Sequence, residues 1–422
     1  MLMRRAFFGL YLLILIFLAL PVVKIGGARI EQLLVLFTFL VVFYDDLNKK
    51  SIDFSILLYL VIGALIMVLI SLNSDYPKVD EKNYFIKFLF IYPVGFYVGA
   101  RIFAKLTLKE VITLLDLTLL FYVVSWLIIM YVPLPMSLLS KVVHLREFGF
   151  GLEFLPYQGT FYEAGALGII VGTVILFSAM LRIEFNVWCE KRYLNYVLYG
   201  FTFFMIVVSK NKTVWLAYGL ILLFLAFYKI YLLLQRSNYY TPSYILKQDS
   251  VLKNFININV LYLIGGVIVL GVLFFLYNSL APEPFITAQE FDYKMKHERG
   301  AQFMIGWELI EKSHYFGGYG WGFVESFFEG KGIMGVGKGS GSINSVLLDS
   351  WLQGSIVAVF YFTGIIMLAF SNKHLLTITV PLYFLFFGLT NPIIAEEFFL
   401  FTGMSYSFAS IKEQAYFFGE TT

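Results

Sequence analysis

Residues 54–73 read FSILLYLVIGALIMVLISLN, twenty consecutive positions without a charge, closed by Asp53 before them and Asp75 after. A helix needs about 20 mostly apolar residues to cross the hydrocarbon of a bilayer. This run meets that length, so it reads as a membrane span. Working outward by the same rule, further spans fall near 6–23, 29–44, 85–100, 111–133, 163–182, 193–208, 213–235, 257–280, 343–370, 374–390 and 393–411. The expected fold is therefore an all-α polytopic membrane protein, with about twelve transmembrane helices in one integral membrane domain over 1–422. Met1–Val23 has Arg4 and Arg5 ahead of an apolar run, as a signal peptide does, and is read here as an uncleaved first helix. Neither an internal repeat nor a low-complexity tract is visible.

Composition agrees with the spans. The chain is 59% hydrophobic and only 14% charged, with 46 phenylalanines and 29 tyrosines, and its mean hydropathy is +0.79. So little charge would not keep a water-soluble surface in solution. Disorder, a single small core and a secreted soluble enzyme are excluded. One cysteine, Cys189, makes neither an internal disulfide nor a cysteine-rich metal site. A net charge of +3 is too small to point to nucleic acid.

Lys and Arg in short loops set the orientation of such a chain. With the N-terminus inside, the inner loops and terminal segments together hold about fifteen of them, and the short outer loops with their edges about eight. Both termini are therefore expected in the cytoplasm. One long segment, 281–342, then lies outside as an extracytoplasmic loop. It carries the basic run Lys294, Lys296, His297 and Arg299, followed by a helix-like stretch to Ser313 with Phe303, Trp307 and Ile310 at helical spacing. Such a stretch suits the membrane surface, aromatic face among the headgroups. Gly317, Gly318, Gly320 and Gly322, then Gly330 through Gly341, read as irregular backbone. Neither GxxxxGK[ST] nor GxGxxG in a strand–turn–helix context occurs, so no nucleotide is implied. The four histidines have no metal-ligand spacing, and no metal or other cofactor is expected.

Four stretches carry a family resemblance. Gly159-Thr160-Phe161-Tyr162-Glu163-Ala164 opens a span. Ser209-Lys210-Asn211-Lys212-Thr213-Val214-Trp215-Leu216-Ala217 makes a short turn between two spans. Arg299 and Trp307 precede His314-Tyr315-Phe316-Gly317-Gly318-Tyr319-Gly320-Trp321-Gly322-Phe323, and Ile343-Asn344-Ser345-Val346-Leu347 runs on to Gly354. Together with the layout of spans and loop, they resemble the O-antigen polymerase and O-antigen ligase family. That resemblance implies an integral glycosyltransferase of the bacterial inner membrane, with its long loop in the periplasm. Its substrates would be polyprenyl-pyrophosphate-linked oligosaccharides, as both donor and acceptor, and its reaction inverting and metal-independent. A chain-length regulator and a flippase are the further partners it implies. The sequence departs from the family pattern in two places: Lys212 stands where Arg is usual, and Ile343 stands where ligases have His.

Transfer of this kind builds charge on the leaving pyrophosphate, and fixed cations there lower the barrier most. The candidate pyrophosphate contacts are Arg299, Lys212, Lys210 and Arg146. Glu163, His297 and His314 are the candidate catalytic groups, since each could orient or deprotonate an acceptor hydroxyl; His144 is a weaker one. Each has a plain alternative as a loop or paired residue. Asn344 and Asp349, near the outer end of a span, either line the cavity or hydrogen-bond a neighbouring helix. Asp116, without a paired ionisable partner in a corresponding half, reads as a structural polar contact. Glu396 and Glu397 read either as a helix-start pair near the outer interface or as a sign that this last span is only interfacial. A polymerase is expected ahead of a ligase because of Ile343. A lipid-linked oligosaccharide flippase is the alternative of another class, but it would show two related halves and broken helices in corresponding positions, and neither is legible.

Overall fold

The computed structural model describes residues 2–21, 23–25, 28–132, 161, 164–185, 192–209, 212–237, 288–331, 333, 343, 345–370, 375–388 and 396–408. These are helical almost throughout. Helices α1 (Leu2–Leu18), α2 (Ile30–Asn48) and α3 (Phe54–Leu72) are followed by α4 (Glu81–Ile86), a π-turn over Lys87–Ile91, α5 (Tyr92–Ala100), α6 (Ile102–Lys105) and α7 (Leu108–Tyr131). Next come α8 (Ala164–Phe185), α9 (Arg192–Val208) and α10 (Lys212–Ser237). Helices α11 (Ala288–His297), α12 (Arg299–Lys312) and α13 (Phe323–Phe328) fall in the segment 281–342, and α14 (Val346–Phe370), α15 (Leu375–Gly388) and α16 (Glu396–Ser407) close the described chain. Two two-residue strands, β1 (Lys24–Ile25) and β2 (Ala28–Arg29), pair antiparallel between α1 and α2. The expected span at 257–280 lies outside the described residues.

Helix α3 explains the medium this fold needs. Ile56, Leu60, Ala64, Met67 and Ser71 form a buried stripe at spacings of four and three. Phe54, Leu58, Ile62, Leu65, Leu69 and Leu72 form a second, exposed stripe at the same spacing. A bare apolar face of this length is not tolerated in water, but it is the expected surface against lipid. Helix α3, α7 and the stretch Val346–Leu368 of α14 are each long and apolar enough to cross a membrane. Ala166–Arg182, Leu194–Val208, Thr213–Leu225 and Thr379–Gly388 are shorter apolar helices. The chain is an all-α membrane protein.

Helices α3 and α14 lock through paired tyrosines. Tyr59 Oη donates to the Tyr361 carbonyl at 3.0 Å, Tyr361 Oη donates to the Leu60 carbonyl at 3.1 Å, and the two rings stack. Gly63 leaves room for the Tyr361 ring and Gly364 for the Tyr59 hydroxyl. Closer still is the crossing of α5 with α16. A Cβ at Gly99 would run into the Leu400 carbonyl, and one at Gly403 into the Phe96 carbonyl. Small residues let membrane helices approach backbone to backbone in this way, and every residue of α5 is buried as a result.

Two spans depart from the regular helix the sequence reading expects, one by a π-turn within a continuous helical run and one by a break. The 85–100 span is assembled from α4, the π-turn and α5, because Pro93 in the first turn of α5 lacks the N–H that would continue a regular ladder. Helix α14 breaks at Ser355, whose φ of 66° and ψ of 178° are not helical. A third correction concerns Arg182, one of the cations that the charge count assigns to the inner loops. It does not sit in an inner loop but is fully buried at the end of α8, where it forms an ion pair with Asp116 and donates to Asn195. Asp116 thus has the ionisable partner the sequence reading does not find, and its structural reading holds.

Candidate functional site

The stretch 314–323 and the break in α14 form one structure. A helix that stops in apolar surroundings leaves carbonyls that need donors. Gly318 and Tyr319 N–H both donate to the Leu352 carbonyl at 2.9 Å, and Gly320 N–H donates to that of Gln353 at 2.9 Å. Ile356 N–H, which opens the second half of α14, donates back to the Phe316 carbonyl at 3.0 Å. The segment follows this path only as glycine: Gly317 and Gly322 have φ of +67° and +94°, and a Cβ would meet the Trp351 and Val79 carbonyls respectively. The irregular backbone expected at Gly317–Gly322 is therefore present, seated in the helix break. Most of Gly330–Gly341 lies outside the described residues.

Side chains extend the joint on both sides. Gln353 Oε1 accepts from Gly322 N–H, and Gln353 Nε2 donates to Asp349 Oδ1, both at 2.9 Å. Asp349 Oδ1 also accepts from Ile343 N–H at 2.8 Å. Across the loop, Trp321 N–H donates to Ser71 Oγ at 2.9 Å, and Ser71 Oγ donates to Glu81 at 2.8 Å. Lys78 pairs with Glu81 at 3.0 Å and donates to the Ser71 and Ser74 carbonyls. The loop is thus held to the ends of both α3 and α14.

Of the described candidate residues, Asp349 and His314 belong to this joint. Asp349 is buried, and the bonds just given are hydrogen bonds of the helix start and of Gln353. Arg299 is exposed as the first residue of α12, and His297, exposed and beside the Tyr293 ring, is the last of α11. His314 is exposed in a left-handed turn past the other end of α12. Fourteen helical residues separate it from the Arg299 corner, roughly 20 Å of axis, so His297 and His314 do not serve one reacting atom in this arrangement. Lys212 opens α10. Glu163, Lys210, Arg146 and Asn344 lie outside the described residues, as does His144. Further along the loop, Lys331 sits over the Phe327 ring at 3.2 Å, and partial burial, with Lys312 nearby, holds its ammonium below the usual lysine value.

A second charged group, foreseen only through Glu396 and Glu397, joins the starts of α2 and α16. Arg29 pairs with Glu396 at 2.6 Å and Glu31 at 2.8 Å, and Gln32 Nε2 donates to Glu396 at 2.5 Å. The sequence signal was present in Arg29 and Glu31 flanking an apolar run, but partners more than 360 residues apart are not legible from spacing. Among the described residues, no group of His, Cys, Asp and Glu has the arrangement to hold a metal ion. The chain matches no family model and no curated protein.

Proposed function

We propose that this chain is a membrane glycosyltransferase that joins polyprenyl-pyrophosphate-linked oligosaccharide repeat units into an O-antigen or related surface polysaccharide. In this reading about twelve spans cross the bacterial inner membrane, both termini face the cytoplasm and the 281–342 loop faces the periplasm. The observation that supports it best is the anchorage of the glycine stretch in the α14 break. A mere linker between two spans needs no such seat. A loop that presents a cation to a reacting phosphate at the membrane surface does, because the cation must be fixed before charge develops. Arg299 fits the part, since its planar fork matches phosphate oxygens and keeps its proton. Lys212 would add a second cation from the start of α10.

Loss of either cation is expected to cost roughly 2–4 kcal/mol in the transition state. Arg299→Ala and Lys212→Ala should therefore cut polymer formation at least about thirtyfold at equal membrane expression, and Lys212→Arg should be milder. Polymer profiles of the variants on a silver-stained gel provide the check. Normal polymer from both alanine variants removes the pyrophosphate role.

The broken helix gives the flippase reading its one specific support, since transporters build their sites from interrupted helices. Here, however, the freed carbonyls of Leu352 and Gln353 are occupied by the protein's own loop, and among the described residues no second break of this kind stands in a corresponding half. The ligase reading keeps the same chemistry with a lipid A core as acceptor.

A further inference from the structure

We propose that α12 is an interfacial helix, held flat at the rim of the fold with its aromatic edge inserted between lipid headgroups and chains of the adjacent leaflet. The helix has three faces. Gln302, Gly306, Leu309 and Ile310 are buried, with Leu309 and Ile310 joining Ile343, Leu348 and Leu352. Glu308 and Lys312 pair across an exposed polar face at 2.9 Å. Between them runs an exposed, mainly apolar edge of Phe303 (52%), Met304 (63%) and Trp307 (38%), whose indole N–H donates to Glu311 at 2.7 Å, extended beyond the helix by Tyr315 and Phe316. Ile310 thus leaves the aromatic face the sequence reading gave it, and Met304 replaces it.

Three observations identify lipid as what covers this edge. The first is depth. The Trp307 ring lies 6.0 Å from that of Trp351, and Trp351 is five residues into the candidate span that starts at Val346, about 7.5 Å along the axis. That is the level at which tryptophan and tyrosine collect in membrane proteins. The second is continuity. Phe316 and Ile70 both flank Gly318, so the edge meets the end of α3, where Leu69 and Leu72 finish its exposed apolar stripe. The third is charge. Over 288–313, Lys294, Lys296, Arg299 and Lys312 are balanced by Glu290, Asp292, Glu298, Glu308 and Glu311, so the apolar edge, and not attraction to anionic lipid, supplies the adhesion. The corner that sets the helix flat is close: a Cβ at Gly300 would collide with the Met295 backbone.

This inference stands apart from glycosyl transfer. Its test places single cysteines by Phe303→Cys, Met304→Cys and Glu308→Cys in a Cys189→Ser background. Each is labelled with an environment-sensitive dye in the full chain, in nanodiscs of phosphatidylethanolamine and phosphatidylglycerol. A nitroxide on the upper acyl chain should quench positions 303 and 304 at least roughly twofold more than 308. Iodide should quench only 308, with the same pattern at low and high salt. Iodide access at all three positions overturns the proposal. Access at 303 and 304 that is lost only on adding free oligosaccharide overturns it too, in favour of a sugar-stacking platform.

Discussion

Gly99→Val should nearly abolish accumulation of the folded protein. The new side chain would meet backbone atoms of Leu400 and Met404, which cannot turn aside as a flexible side chain can, so α5 and α16 must separate. Overpacking costs about 1–3 kcal/mol in cores that can adjust, and a backbone-to-backbone contact stands at or beyond the upper end. Separation would also strain the junction of Phe103 N–H with Ser407 Oγ and the seating of Tyr92 on Phe399. Gly200→Val is the control, because a Cβ there meets nothing within 4 Å. The check is the yield of monodisperse protein in detergent and its melting temperature. Equal yield and melting for Gly99→Val and the parent would mean the crossing is looser than described.

Asp46→Ala should be comparably damaging. Asp46 is fully buried near the end of α2 and accepts from Arg101 Nε and Nη2 and from Tyr97 Oη, each at 2.8 Å, and from Lys105 Nζ at 2.5 Å. Asp45 shares Lys105 and also pairs with Lys49. Removing one side of a buried ion pair costs about 3–5 kcal/mol, because the partner charge stays behind without compensation. Here the stranded groups are a guanidinium and, in part, an ammonium. Asp46→Asn keeps an acceptor oxygen at the same place and should fall between parent and alanine. Melting temperatures in one detergent give the order, and an alanine variant as stable as the parent would remove the network from the account of stability.

The sequence was most informative where physics is local. The run at 54–73 announces a helix because its length and lack of charge match a bilayer, and α3 occupies 54–72. The glycines of 317–322 announce irregular backbone because few other residues adopt those angles. What the run could not reveal is the partner of that backbone. The break at Ser355 falls at Gln353-Gly354-Ser355, small and polar residues that a long apolar run can carry without breaking, and its cause is the loop that fills it, some 35 positions earlier. Likewise, Gly95 and Gly99 have the four-residue spacing of a close helix crossing, yet only the fold reveals that α16 is the helix that crosses there. Ionic partners such as Arg182 and Asp116 escape for the same reason. Of the candidate site, Arg299 and the glycine stretch are described in detail, while Glu163, Lys210, Arg146 and Asn344 lie outside the described residues.

Purified protein in nanodiscs, supplied with only the polyprenyl-pyrophosphate-linked repeat unit, tests the functional proposal most directly. A polymerase holds one unit as donor and another as acceptor, so its products stay on the lipid pyrophosphate and form a ladder with one-unit spacing. The ladder is predicted to appear without nucleotide and to persist in the presence of a chelator. Absence of a ladder, with a single product formed only after a lipid A core is added, would contradict the polymerase in favour of a ligase, and movement of the unit between leaflets with no new glycosidic bond would contradict glycosyl transfer altogether.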